Sequence, residues 1–198
     1  ESLSQYGWIR DSSWSHLFNQ NPTESALGWQ AIKQDSKIEK TDGLISAGEF
    51  LGSGLIDLMN VMNDRPNTLT HNDLHQGNIL LRQSDSGFEP VVIDWQLTAY
   101  AGGTNDLAKF LMTAVPFRIL SENEKSLVGY YVDCLQSMGI SDYSFDECWR
   151  DYRRAQVMVL ANYAISGVHQ SPDGILQISH GDSTRAVIKA FGIIDPQE

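Results

Sequence analysis

Basic residues are scarce in this chain. Lys and Arg number 14 against 25 Asp and Glu, for a formal net charge of −11. Phosphate backbones are held by Lys and Arg, so this balance excludes a nucleic acid as the expected partner. The acidity reads either as serving solubility or as a field that draws a cationic substrate. Cysteine is scarce too: Cys134 and Cys148 stand in no metal-like or redox-like spacing. That excludes a disulfide scaffold and points to free, buried thiols in a reducing compartment. No apolar run reaches the length of a membrane span, and residues 1–10 lack the basic start and apolar stretch of a signal peptide. A cytoplasmic location without a membrane partner is therefore expected. Repeats and low-complexity tracts are absent. An initiator methionine is absent as well, which suggests a processed or excised chain. What is present suffices for a packed core: 198 residues, 41% of them hydrophobic, fit one domain or one lobe of a larger fold.

Along the chain the texture changes twice. Residues 4–14 read as a short helix, residues 19–22 read as a turn, and Thr23 caps a helix to about Lys33. From Thr41 or Asp42 a long helix is expected, with an apolar stripe of Leu44, Ile45, Phe50, Leu51, Leu55, Ile56, Leu58, Met59 and Met62. Gly48, Gly52 and Gly54 weaken such a helix by about 1 kcal/mol each relative to alanine, which predicts close packing against them. Arg65-Pro66-Asn67 ends it. Residues 68–71 read as β, and Ile79-Leu80-Leu81 and Val91-Val92-Ile93 flank turn residues as a β-hairpin. Helices resume at Thr104 or Asn105 through Ala114. Further helices are expected over 127–138, capped by Ser121 with Glu124, and from Ser144 with Glu147 to about Val168. A last helix begins at Asp182 or Ser183 and runs to about Phe191. The fold class is α+β and mainly helical, with helical segments over 1–67, a hairpin region over 68–103 and a helical subdomain over 104–198.

The chemistry concentrates in His71-Asn72-Asp73-Leu74-His75-Gln76-Gly77-Asn78, which leads into the first hairpin strand, and in Ile93-Asp94-Trp95, which follows the second. Two polar clusters tied to short apolar strands are unusual in a helical protein. A carboxylate, an amide and a second carboxylate on one side of a hairpin are hard oxygen ligands. That set suits Mg²⁺, which takes few protein ligands and completes its shell with water and phosphate.

The spacing His71-x-Asp73-x-x-x-x-Asn78 resembles the catalytic loop of protein kinases and of the related aminoglycoside phosphotransferases. His75, Gly77, the Ile-Asp-Trp run and the later Gly102-Gly103 with Asp106-Leu107-Ala108 are similar to the small-molecule branch. That branch holds the aminoglycoside phosphotransferases, the choline and ethanolamine kinases and the ecdysteroid-kinase-like proteins. The resemblance covers residues 70–111 by motif. It implies a protein-kinase-like C-terminal, large lobe whose small hairpin carries the catalytic and metal loops. It implies ATP or GTP as co-substrate with Mg²⁺, and phosphoryl transfer to a hydroxyl of a small molecule. Asp73 would take the hydroxyl proton, and Asn78 and Asp94 would hold the cation and, through it, the nucleotide. His71 would orient the loop, Asp106 would brace it from behind, and His75 would assist or meet the substrate. Trp95 reads as core packing.

Several readings compete with this one. His71, Asp73 and His75 alternate, so an extended strand would turn all three one way, as in a zinc metallohydrolase. A kinase-like lobe kept as a non-catalytic scaffold or binding module is the other alternative. A peptide-directed kinase is disfavoured, because the segment after Asp94-Trp95 leaves little room for an activation loop. The family pattern also requires a β-rich N-terminal lobe with a phosphate-covering loop and a Lys–Glu pair. No strand, glycine-rich turn and strand precede His71, and Lys33, Lys37 and Lys40 sit in polar, helix-like sequence. The N-terminal lobe is thus expected to be a missing partner and the chain to be inactive alone. An amino-alcohol, an aminoglycoside and an uncharged hydroxylated metabolite all fit as acceptor. Asp133, Asp146, Glu147, Asp151 and Asp173 are the acids that would draw a cationic one.

Overall fold

The computed structural model describes residues 10–11, 22–166, 168–170 and 176–178. Six helices carry most of the described chain: α1 (Pro22–Gln34), α2 (Asp42–Leu51), α3 (Leu55–Asn63), α4 (Gly103–Ala114), α5 (Phe117–Ser137) and α6 (Phe145–Ser166). Around them lie the strands β1 (Arg10–Asp11), β2 (Asn67–Thr70), β3 (Ile79–Ser84), β4 (Gly87–Val92), β5 (Ala99–Gly102), β6 (Val168–Gln170) and β7 (Leu176–Ile178). The architecture is mainly helical with small sheets, as the sequence texture predicts. No single helix among the described residues is long and apolar enough to cross a membrane.

Helix α6 is the hub, because it packs against all five other helices. Its Cys148, Tyr152, Ala155 and Leu160 are fully buried with Trp29 and Ile32 of α1, Leu55 of α3, Leu111 and Met112 of α4, and Leu120 and Val128 of α5. The start of α6 is a reciprocal capping box. The Ser144 N–H donates to Glu147 Oε2 at 3.1 Å, and the Glu147 N–H donates back to Ser144 Oγ at 3.3 Å, which satisfies two of the orphan donors at a helix start. Both cysteines are free, Cys148 buried and Cys134 partly so. Burial pushes the Cys148 thiol up to about 11, so it stays protonated and inert at neutral pH.

Three expectations are corrected. The long helix from residue 42 is two helices, bent by 87° between α2 and α3. Thr41 caps α2 by accepting from the Leu44 N–H at 3.2 Å, but Gly52, Ser53 and Gly54 break the run. The Phe50 ring lies where a Gly54 Cβ would stand, 1.9 Å from that position. The bend divides the stripe: Leu44, Leu51, Leu55, Leu58, Met59 and Met62 are buried, while Ile45, Phe50 and Ile56 are exposed. The second correction concerns Ser121 and Glu124, which open no helix. Helix α5 runs through them from Phe117; Ser121 Oγ donates to the Arg118 carbonyl, and Glu124 is buried against Tyr152 and Gln156 of α6. Pro116 supplies the start instead, its missing N–H costing nothing there. The helix ends with the Ile140 N–H reaching back to the Leu135 carbonyl at 3.0 Å, and Gly139 takes a positive φ of 91°, the usual glycine-terminated stop. Third, of the short helix expected over residues 4–14, only Arg10–Asp11 are described, and they pair as a strand alongside Ala99 and Tyr100. The helix expected over residues 182–191 lies outside the described residues.

Close packing on the glycines of α2 is real at Gly48. A Cβ there would stand 2.2 Å from the ring of Trp29, which is 2% exposed. Gly48→Ala is therefore expected to destabilise the protein by about 1–2 kcal/mol, because overpacking a core costs more than the helix propensity that alanine restores. At Gly52 a Cβ would meet only Ala26 Cβ, at 3.4 Å, and φ is −80°, so Gly52→Ala should be close to neutral. Thermal denaturation of the two variants side by side checks the contrast.

The sheets position the site. Strand β5 pairs antiparallel with β2, from Asn67 opposite Gly102 to Thr70 opposite Ala99. Strands β3 and β4 form the expected hairpin, from Ile79 opposite Val92 to Ser84 opposite Gly87. The chain leaves β2 at Thr70, makes the loop 71–78, enters β3, returns on β4 and passes through residues 93–98 into β5. Both polar clusters therefore emerge at the same end of the hairpin.

Candidate active site

Helix α4 holds the loop after β2 from behind. Asp106, in its first turn, accepts the His71 N–H on Oδ2 at 2.6 Å and the Asn72 N–H on Oδ1 at 2.7 Å. Asn72 takes a left-handed φ of 64°, which asparagine tolerates, and turns the chain directly after those two amides. Burial pushes the Asp106 carboxyl above its ordinary range, opposed by the two backbone donors.

His71 is 2% exposed, and both ring nitrogens are engaged. The Asp73 N–H donates into Nδ1 at 3.2 Å, so the ring proton sits on Nε2, which donates to the Ile93 carbonyl at 2.7 Å. One imidazole thus ties the loop before β3 to the end of β4. The Ile93 N–H donates to the Asn78 carbonyl at 2.9 Å and closes the same gap. Trp95, expected in the core, is instead 49% exposed. Its ring lies 4.9 Å from that of His71, and its Nε1 donates to the Val92 carbonyl. It shields the imidazole rather than filling the interior.

Asp73 is held by its backbone on both sides. Its N–H meets His71, and its carbonyl accepts Asn78 Nδ2 at 2.9 Å. Its carboxylate is a quarter exposed, with Lys109 Nζ 2.5 Å from Oδ1 and His75 Nε2 3.7 Å from Oδ2. His75 in turn accepts the Gly77 N–H on Nδ1 at 3.0 Å, which leaves Nε2 as its protonated nitrogen, facing Asp73. Because Asn78 spends Nδ2 on Asp73, its Oδ1 is the atom left for a cation. Asp94 is exposed, in a left-handed conformation of φ 62° and ψ 58°, with Gln96 Nε2 3.5 Å from its Oδ2. An amide oxygen and a carboxylate, on residues bracketing the hydrogen-bonded hairpin end, are a donor set that fits Mg²⁺.

The zinc alternative fails on this geometry. His71 has no free nitrogen and is buried against the backbone, and no group of three His, Cys, Asp or Glu among the described residues is placed to hold a metal ion. The acids expected to draw a cation stand elsewhere. Asp151 is 1% exposed and bonded to Arg65, Tyr143 and Arg154; Glu147 is in the capping box; Asp133 and Asp146 are exposed; Asp173 lies outside the described residues.

Sequence reasoning missed Lys109. It stands one turn after Asp106 on α4, so both side chains face the loop 71–78, one on its backbone and one on Asp73. The Asp106-x-x-Lys109 spacing was the available signal. Beside Lys109 opens a pocket between α4 and α6, lined by Asn72, Asn105, Lys109, Met158, Asn162 and Tyr163 among others. None of these but Lys109 carries a charge.

The family model of the ecdysteroid kinase-like family matches residues 24–140. The chain belongs to the ecdysteroid kinase-like family. The match runs from α1 through the end of α5, so it takes in the helices that flank the motifs as well as the motifs themselves. Ecdysteroid kinase-like membership makes this a kinase-like phosphotransferase at the level of the family, and kinase-like families generally use ATP and Mg²⁺. No curated protein and no solved structure matches the chain significantly.

Proposed function

We propose that this ecdysteroid kinase-like chain is the catalytic lobe of an enzyme that transfers a phosphoryl group from ATP or GTP to a hydroxyl of a small molecule. The observation that carries the reading is Asp73. Its backbone is pinned on both sides by His71 and Asn78, while its carboxylate stays partly open to solvent. A base in phosphoryl transfer needs that combination, because its role is to orient a hydroxyl in line with the phosphorus and take its proton. Asn78 and Asp94 are the residues that would hold Mg²⁺, which supplies charge neutralisation on the nucleotide phosphates when bound. His71 fixes the loop to the hairpin, and Asp106 fixes it to α4. Both shape the site without touching substrate.

Among described residues 22–70 there is no strand, glycine-rich turn and strand. The phosphate-covering loop and the Lys–Glu pair are accordingly assigned to a second, β-rich lobe, and the chain alone should turn over negligibly. The non-catalytic scaffold reading gains no support from a loop this fully braced.

Calorimetric titration of Mg·ATP tests the metal assignment. The chain by itself is expected to bind weakly or not at all. Joined to a nucleotide-binding lobe it should bind, and Asp94→Ala should weaken that binding by about tenfold or more, since a charged ligand is lost from the cation. Unchanged binding in Asp94→Ala would remove Asp94 from the metal site.

A further inference from the structure

We propose that Lys109 sorts acceptors by charge, admitting an uncharged or anionic hydroxylated molecule to Asp73 and turning away one that carries an ammonium beside its hydroxyl. The inference rests on the reading of Asp73 as the base and adds to it the residue that sets which alcohols reach it.

The argument begins with the acids near the pocket. An ammonium group entering beside the catalytic loop needs a carboxylate, and both nearby ones are taken. Asp106 spends one oxygen on each of two backbone N–H groups. Asp73 has Lys109 Nζ on Oδ1 at 2.5 Å. The lysine is well fixed: its side chain is 13% exposed, and its ammonium lies 5.8 Å from the centre of the Tyr163 ring as well as on Asp73. A second cation would have to break a partly buried ion pair or sit within a few ångströms of a like charge, where repulsion is poorly screened.

The rest of the pocket suits hydroxyl groups. Asn72, Asn105, Asn162 and Tyr163 line it with neutral polar side chains, over the apolar Met158. Asn105 is the telling member, because its Oδ1 is buried with no hydrogen-bond partner among the described residues. A buried acceptor left open is costly unless something donates to it, and a substrate hydroxyl does so without bringing a charge. An anionic acceptor would find its partner in Lys109 itself.

A matched pair of probes reads this directly. trans-1,2-Cyclohexanediol and trans-2-aminocyclohexanol differ only in one hydroxyl against one ammonium. Each is titrated into the ¹⁵N-labelled chain without nucleotide, and the side-chain amide signals of Asn72, Asn105 and Asn162 are followed. The diol is expected to move those signals, with the amine at least about tenfold weaker. Lys109→Met should close that gap by freeing the Asp73 carboxylate. Lys109→Gln, which keeps polarity and length, serves the same end if the methionine variant folds poorly. Equal or tighter binding of the amine to the wild type overturns the proposal. So does a diol that leaves the three amides unmoved, or a diol-to-amine ratio that both variants leave unchanged. Because no nucleotide is present, failure here leaves the Mg·ATP assignment standing, and failure of that assignment leaves this titration readable.

Discussion

Asp73→Asn is expected to lower phosphoryl transfer by about 10²–10⁴-fold in the proposed two-lobed enzyme while leaving Mg·ATP affinity within a few-fold of wild type. The substitution keeps the shape of the side chain, and the backbone anchors of residue 73 to His71 and Asn78 do not involve it. What disappears is the carboxylate that accepts a proton and the counter-ion of Lys109. The proposed metal ligands, Asn78 and Asp94, are other residues, so nucleotide binding should report an intact site. A loss of this size confined to turnover marks a group used in the transition state. Comparable losses in turnover and in nucleotide affinity would mean that Asp73 holds the metal rather than the acceptor. Robust, Asp73-dependent turnover by the 198-residue chain alone would keep the base and overturn the need for a second lobe.

The sequence made the hairpin and the two polar clusters legible because their signals are local. Turn residues between two short apolar runs, and a helix start at Ser144 with Glu147, depend on neighbours a few positions away. The bend between α2 and α3 was less legible. The apolar stripe continues through Gly52, Ser53 and Gly54 at helical spacing, and only the Phe50 ring seated over Gly54 shows that the run is broken. Trp95 was misjudged for a related reason: tryptophan suggests a core, but here one face covers His71 while the other meets solvent. Lys109 was missed because its partner lies 36 residues away. A lysine on an amphipathic helix reads as solvated until the loop it faces is in place. The same holds for Asp151: by sequence it stands among the acids that would draw a cation, yet it is buried and joins Arg65 after α3 to Tyr143 and α6.

Asp106→Ala is expected to be the most damaging single change outside the loop itself. It leaves the His71 and Asn72 N–H groups without their acceptors. Hydrogen bonds to a charged group contribute roughly 1.5–3 kcal/mol each, and the carboxylate already bears the cost of burial, so a net loss of about 2–4 kcal/mol is expected. Asp106→Asn should fall between, since an amide offers one acceptor and turns a donor toward the second N–H. The pH dependence reads the balance between burial and the groups that stabilise the carboxylate. Burial raises the Asp106 pKa above its ordinary value, so between the unfolded and folded pKa values the native state binds more protons than the unfolded chain. The contribution of this residue to stability therefore falls as pH rises through that window and is constant above it. Asp106→Asn, which cannot titrate, should lose that acid-side slope, and its deficit against wild type should be larger at the acidic end of the window than at neutral pH. Denaturant unfolding of the two proteins from acidic to neutral pH measures it. A deficit that instead grows with rising pH would mean that the two backbone donors and the nearby Lys109 outweigh burial and hold the carboxyl below its ordinary range.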